Sequence, residues 1–493
     1  MTRKQKLLLN TGTSILKQII VTVCGFILPR YMLLYYGSAV NGLISSITHF
    51  LGFISLLEMG IGPVVQANLY GPLAKKDHEQ ISKIVISSEC FFRKLALIFL
   101  AYIAVLSVVF PTVINSDYDA WFSVSLILII AISTFAQYFF GATYQLLLNA
   151  DQKAYIQTSL QMGTVILNTA FCIILMRLGV GVHAVKLLTS AIFVLRPLGQ
   201  VLYVRKCYQL NKKLRLTSEP IKQKWNGFSQ HLASVVCDNI DVVVLTFFST
   251  LTSVSVYSVY YNVTNGVTSM IMTAATGLES FFGNMLANGE KAALTKAFET
   301  TEWIIHTVVT VIFAVAAITI VPFVSVYTRG ITDADYIAPL FAFVLVIAYA
   351  AQCVRIPYFR LIKAAGHFKE TQNGAFISMG LNIVISVASV FRFGLVGIAF
   401  GTLVAMLYHT CYFVWYLRKS ILHRPAWHFV KYLLTDALIL ALSMLLTRTF
   451  VMTDISYLSW VLLAVKVGMV TLGTAVFVNG VFYHKVIWRI VKK

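Results

Sequence analysis

The chain is almost entirely a succession of apolar spans, and the succession repeats itself. About fourteen apolar stretches of roughly 18–28 residues follow one another, joined by loops mostly under about 15 residues. Of the 493 residues, 58% are hydrophobic and 12% charged. At an offset of about 213 residues, Ala74, Asp77, Ile81, Ser82, Lys83, Ser87, Ser88 and Glu89 fall on Ala287, Glu290, Leu294, Thr295, Lys296, Thr300, Thr301 and Glu302. Further along the offset is about 215. There Ala136-Gln137 falls on Ala351-Gln352, Leu167-Asn168 on Leu381-Asn382, and Arg177-Leu-Gly179 on Arg392-Phe-Gly394. A duplicated bundle of membrane spans is the plan of a transporter.

The expected spans run over about 9–34, 39–68, 84–111, 121–148, 156–178 and 183–206, then about 229–250, 254–286, 301–328, 337–362, 372–391 and 395–418. Two more, about 431–450 and 458–484, have no counterpart in the repeat. The expectation is an all-α membrane protein of about 14 transmembrane helices, with two pseudo-symmetric six-helix lobes and two added helices. The lobes are drawn at residues 1–206 and 229–418, with a cytoplasmic linker at 207–228 and the added helices and tail at 419–493.

The net charge of +20 does not mark a nucleic-acid face, because the cations sit beside span ends on alternate loops. One set of loops holds Arg3, Lys4, Lys6, Lys75, Lys76, Lys83, Lys153, Arg205, Lys206, Lys212, Lys213, Arg215, Lys222, Lys224, Lys291, Lys296, Arg360, Lys363, Lys369, Arg418, Lys419, Arg424, Lys485, Arg489, Lys492 and Lys493. The other set holds mainly Arg177, Arg329, Arg392 and Arg448, with Asp117, Asp119, Asp333, Asp335 and Asp454. The positive-inside rule puts both termini in the cytoplasm and gives both halves the same orientation. The basic N-terminus runs into a long span with no small-residue cleavage site, and reads as an uncleaved first span. Of seven cysteines, none in a CxxC pair, six (Cys24, Cys90, Cys172, Cys237, Cys353 and Cys411) lie in or at the ends of apolar stretches and read as small apolar residues.

Ionisable residues inside a span cost roughly 2.5–3.5 kcal/mol on insertion scales and usually face a polar cavity. Lys17 and Arg30 lie in the first span, Glu58 in the second, Asp238 and Asp241 in the seventh, Glu279 in the eighth and Arg355 in the tenth. Asp238 and Asp241, three residues apart, share one helix face. A cavity-lining role and an ion pair with a neighbouring span both fit these residues. Arg196, near the middle of the sixth span, fits an ion pair inside one half. Arg93, Lys94 and Arg360 lie near inner boundaries, where snorkelling suffices. Gly25, Pro29, Gly60, Gly62, Pro63, Pro197, Pro322 and Pro357 are candidate bends.

Enzymatic readings find little support. There is no GxxxxGK[ST] loop, no HExxH and no paired-cysteine metal site. The outer triplets Asp117-Tyr-Asp119 and Asp333-Ala-Asp335 sit in loops too short to build the acceptor site of a membrane glycosyltransferase or polymerase.

Four segments carry a family resemblance: Tyr36-Gly-Ser-Ala-Val-Asn-Gly-Leu43, Glu58-Met-Gly-Ile-Gly62, Asp238-Asn-Ile-Asp-Val-Val-Val-Leu245 and Ser253-Val-Ser-Val-Tyr-Ser-Val-Tyr-Tyr261. With the duplication they resemble the polysaccharide-exporting flippases (O-antigen or capsule type) of the multidrug/oligosaccharidyl-lipid/polysaccharide (MOP) superfamily. The resemblance covers about residues 5–420 and implies two MATE-like lobes around a cleft lined by spans 1, 2, 7 and 8. It implies a polyprenyl-diphosphate-linked oligosaccharide as substrate, no catalysis, no bound cofactor, and the cell membrane as location. Polysaccharide polymerase machinery is the partner it suggests. Lys17, Arg30, Arg355, Glu58 and Glu279 would then be substrate-binding cleft charges. Asp238 and Asp241 depart from a cationic lining and point to coupling by H+ or Na+, or to charge pairing. A cation-coupled multidrug extruder of the same superfamily is the alternative.

Overall fold

The computed structural model describes residues 3–58, 61–114, 118–211, 214 and 228–491. Gly60, Asp117, Lys212, Lys213, Arg215, Lys222, Lys224, Lys492, Lys493 and most of the expected linker 207–228 lie outside the described residues. Among the described residues all regular structure is helical. An apolar span in lipid must pair every backbone N–H and C=O within itself, and a helix does so. Ten helical stretches among the described residues are long and apolar enough to cross a membrane. The expected all-helical membrane architecture is the one observed.

The first compact unit comprises Met1–Ser255. It contains α1 (Arg3–Gly52), α2 (Ser55–Glu58), α3 (Ile61–Lys75), α4 (His78–Val113), α5 (Ala120–Ala136), α6 (Ala142–Ala150), α7 (Ala154–Arg177), α8 (Val182–Cys207) and α9 (Phe228–Phe248). A π-helical turn, Gln137–Gly141, joins α5 to α6. The unit boundary falls within α10 (Leu251–Ala274).

The helix α1 turns over at Gly37, whose φ of 80° is left-handed. Its first arm runs beside α7: Asn10 bonds to the Gln152 carbonyl and the Tyr155 N–H, and Tyr36 bonds to the Val180 carbonyl. Its second arm runs antiparallel to α9. Asn41 donates to Ser255 Oγ at 2.9 Å, Ser46 pairs with Thr246 at 2.7 Å, and His49 meets Asn239 at 3.0 Å. Gly42 permits this approach, since a Cβ there would lie 1.8 Å from the Leu251 carbonyl oxygen. The segment Tyr36–Leu43, noted above for its resemblance, is therefore a turn-and-docking element.

The second unit comprises Val256–Lys493. It contains α11 (Leu278–Ala287), α12 (Lys291–Tyr327), α13 (Pro339–Val354), α14 (Ile356–Ala364), α15 (Phe368–Ser420), α16 (Trp427–Thr447) and α17 (Tyr457–Val491). The long α15 folds back at Gly394, φ 52°. Its arms meet where Ser386 Oγ contacts the Ile398 carbonyl and Ser378 Oγ the Ala405 carbonyl. Gly397 and Gly401 lie against Ser389 and Ser386, the small-residue packing that lets helices approach closely in lipid. The added helices α16 and α17 pack on α12 and on each other.

The duplication reappears as matched local geometry inside each unit. Left-handed residues occur at Lys76, Gln152 and Gly179 in the first half and at Gly289, Gly366 and Gly394 in the second, the same repeat positions. Asn168 accepts from Cys172 Sγ at 3.2 Å, and Asn382 accepts from Ser386 Oγ at 3.0 Å. Tyr144 donates to Glu89 as Tyr358 donates to Glu302.

Three spans expected to be continuous are broken. The second is interrupted after Gly52, the eighth at 275–277 and the tenth at Arg355. At the third break Pro357 supplies the cause: it lacks an N–H and its ring crowds the carbonyl four residues back, at Cys353.

Candidate functional site

Three of the expected site residues sit at these helix breaks. Glu58 ends the four-residue α2, Glu279 lies in the first turn of α11, and Arg355 joins α13 to α14. Broken helices in membrane transporters carry binding sites, because the break frees backbone groups and re-aims side chains. Glu58 accepts from the Tyr138 hydroxyl, 3.2 Å away, and Tyr138 is presented by the π-helical turn. Glu279 is held by Arg360 at 3.2 Å and Lys363 at 3.7 Å, both on α14. Its carboxylate also complements the helix N-terminus. Arg355 directs Nη1 to His409 Nδ1 at 2.6 Å and lies 5.9 Å from the Phe413 ring centre.

In the first unit the acid pair lies on α9, which packs against the second arm of α1 and against α2, the helix of Glu58. Asp241 is 2% exposed, while Asp238 on the same helix is exposed. Between them Asn239 donates to the Val235 carbonyl, leaving its Oδ1 to accept from His49 Nδ1–H. Lys17 and Arg30 lie on the other arm of α1, the one that runs beside α7. Lys17 is half-buried and has no ion pair or side-chain hydrogen bond among the described residues. The structure thus brings Glu58, Asp238 and Asp241 onto packed neighbours, and places Lys17 on the other arm of α1. Arg196 donates to Thr164 Oγ1 at 2.5 Å and lies over Phe193; this hydrogen bond inside one half takes the place of the expected ion pair. Arg93 pairs with Glu89 at 3.6 Å.

The basic loops of the first unit converge at one end of it. Lys6 and Lys153 flank Asp151, at 3.5 and 2.7 Å, and Tyr208 donates to the same carboxylate at 2.5 Å. Burial alone would push the Asp151 carboxyl up. Hydrogen bonds from Lys153 and Tyr208 and the charges of both lysines outweigh it and hold the group below the usual carboxylate range. In the second unit Arg424 forms a two-pronged bond to Glu302, which is 0% exposed. Burial works against the Arg424 charge, but Glu302 more than restores it, so the guanidinium is held above its ordinary range.

No protein-family model matches the sequence, and neither does any curated protein. Solved structures do match. The lipid II flippase MurJ, in an inward closed conformation, superposes with a TM-score of 0.71 at 15% identity, over 97% of this chain and 100% of that one. The chain has the fold of a lipid II flippase. An inward-facing multidrug resistance MATE transporter of the MOP superfamily gives 0.67 at 15% identity, over 83% of this chain and 95% of that one. A mutant of the Vibrio cholerae MATE transporter VcmN gives 0.58 at 12%, over 85% and 98%.

On this MurJ- and MATE-like fold, sequence reading alone does not single out His49, Asn239, His306 and Asp436. Asp436 lies a few residues inside the span drawn over 431–450, so its charge was a legible signal. His306 and His49 were not legible as site residues, because a lone histidine in a span gains meaning only from its neighbour. No cluster of potential metal ligands occurs among the described residues.

Proposed function

We propose that the chain is a flippase that moves a polyprenyl-diphosphate-linked oligosaccharide from the inner to the outer leaflet of the cell membrane by alternating access, for surface polysaccharide assembly. The observation that carries this reading is the extent of the likeness. It spans 97% of the chain for the lipid II flippase but 83–88% for the MATE structures. The shortfall is about the size of residues 419–493, which hold α16 and α17. Both termini and the linker 207–228 are cytoplasmic in this proposal, with lobes at 1–206 and 229–418.

Lys17, Arg30 and Arg355 engage the diphosphate or acidic sugars, since basic groups in a wet cleft replace the water an anion loses. Glu58 and Glu279 shape the same path at their helix breaks. Asp238 and Asp241 bind a coupling cation, H+ or Na+, or balance the bases. Polymerase machinery is the downstream partner. Export is tested as surface polysaccharide in a flippase-deficient strain, with membrane abundance measured alongside. The chain restores export, and Lys17→Ala, Arg355→Ala and Asp241→Asn each impair it at normal abundance. Failure of the unaltered chain removes the flippase reading. Wild-type export from all three variants removes the site assignment.

A second reading, a cation-coupled multidrug extruder, is favoured by the MATE likeness and the acid pair on α9. It predicts drug resistance on expression, without restored polysaccharide.

A further inference from the structure

Position 306 differs in kind from its counterpart in the first half. There Glu89 is paired by Arg93, one turn later on the same helix, at 3.6 Å. The equivalent Glu302 takes its cation from Arg424, beyond the repeat. Position 306, the repeat partner of Arg93, is a histidine, and an acid from an added helix meets it. His306 Nδ1 lies 2.5 Å from Asp436 Oδ2, and Thr310 donates to Asp436 Oδ1 at 2.7 Å. The imidazole is 1% exposed and the Asp436 side chain 18%. The ring stacks on Tyr432, 4.8 Å between centres, which stacks on Tyr483 at 4.9 Å. His306 Nε2 is buried and has no hydrogen-bond partner among the described residues.

We propose that His306 and Asp436 form a proton-binding site inside the membrane-spanning part of the second unit. With neutral His306 donating Nδ1–H to Asp436, the pair carries one uncompensated negative charge in a low-dielectric place. Adding one proton from water cancels it. The product is either an imidazolium–carboxylate pair or a neutral imidazole beside a carboxylic acid, and in both Nε2 carries a hydrogen. Nε2 is therefore the atom that gains and loses the proton, and no partner among the described residues holds it in this structure. Intramembrane acid–histidine pairs suit such exchange. The neighbours leave the charge to the pair itself. Glu302 is matched by Arg424, and Tyr358 donates to Glu302. Tyr432 and Tyr483 stack beside it, Glu299 lies within electrostatic reach of Tyr432, Lys431 bonds the Phe482 carbonyl and lies 4.7 Å from the Tyr483 ring centre, and Glu279 is held by Arg360 and Lys363. The helix α13, also packed on α12, contains no charged residue. The site bridges α12 and the added helix α16, so its protonation state bears on that contact.

The proton site stands on the geometry alone, and only its transport consequence rests on the flippase reading. The direct test is the 15N-histidine spectrum of the purified full chain from about pH 5 to about pH 9. The signal absent from His306→Gln identifies His306. The expected result is a titrating Nε2 with Nδ1 remaining bonded, and a shift or loss of that titration in Asp436→Asn. A single unchanging state across the range overturns the proposal, whatever export shows. In the export assay, the pH dependence of the wild type should be at least halved in both variants. Variants that keep the full wild-type dependence remove the coupling.

Discussion

Tyr358 donates its hydroxyl hydrogen to the buried carboxylate of Glu302, and the repeat-equivalent Tyr144 does the same to Glu89. The third member of the cluster differs. Arg93 comes from the same helix as Glu89, while Arg424 comes from the segment that leads into the added helices. The duplication thus kept a tyrosine–carboxylate pair and changed the source of its cation.

Arg424→Ala should leave a carboxylate with no exposure and no counterion, a loss of about 3–5 kcal/mol. Folded abundance and thermal midpoint in detergent should fall sharply. Combining it with Glu302→Gln should recover much of the loss. A double variant as unstable as Arg424→Ala would mean that the arginine acts through packing alone.

Gly42→Leu should abolish folding of the first unit, because even a Cβ would meet the Leu251 carbonyl. Gly42→Ala already requires the arm of α1 to move, with overpacking of about 1–3 kcal/mol. Protease resistance of the inserted protein measures it, and a neutral Gly42→Ala would contradict the close approach.

The paired left-handed positions give an asymmetric expectation. Gly366→Ala should destabilise by about 1–2 kcal/mol through φ strain, since a Cβ there meets no neighbour. At the equivalent Gln152 the strain is already present, so Gln152→Gly should be neutral or slightly stabilising. Thermal midpoints of the two variants decide it.

Asp151 gives a pH dependence of defined sign. Its carboxyl is held below the ordinary value in the fold. Its contribution is therefore complete above the unfolded value, about 3.9, and is lost as pH falls through the lower folded value. Asp151→Asn should lower the midpoint at neutral pH, and the gap from wild type should narrow below about pH 4. A gap of constant size across that range would assign Asp151 no ionic role.

Cysteine substituted at Thr332 should be labelled from outside intact cells, and at Gln209 should not, in a cysteine-free background. Labelling at Gln209 would reverse the proposed orientation, though not the fold.

The all-helical, membrane-spanning character of the chain and the loop corners at 179 and 394 were legible in the sequence. Apolar length and the need to pair every backbone group act locally, so composition reports them directly. The breaks were partly legible, through Pro357, but not where no proline marks them. The partners of the buried charges were not legible at all. Whether Asp436 meets His306, Glu302 meets Arg424, or Lys17 stays unpaired depends on which helices become neighbours. Those residues lie more than a hundred positions apart in the first two cases, and only tertiary packing brings them within hydrogen-bonding distance.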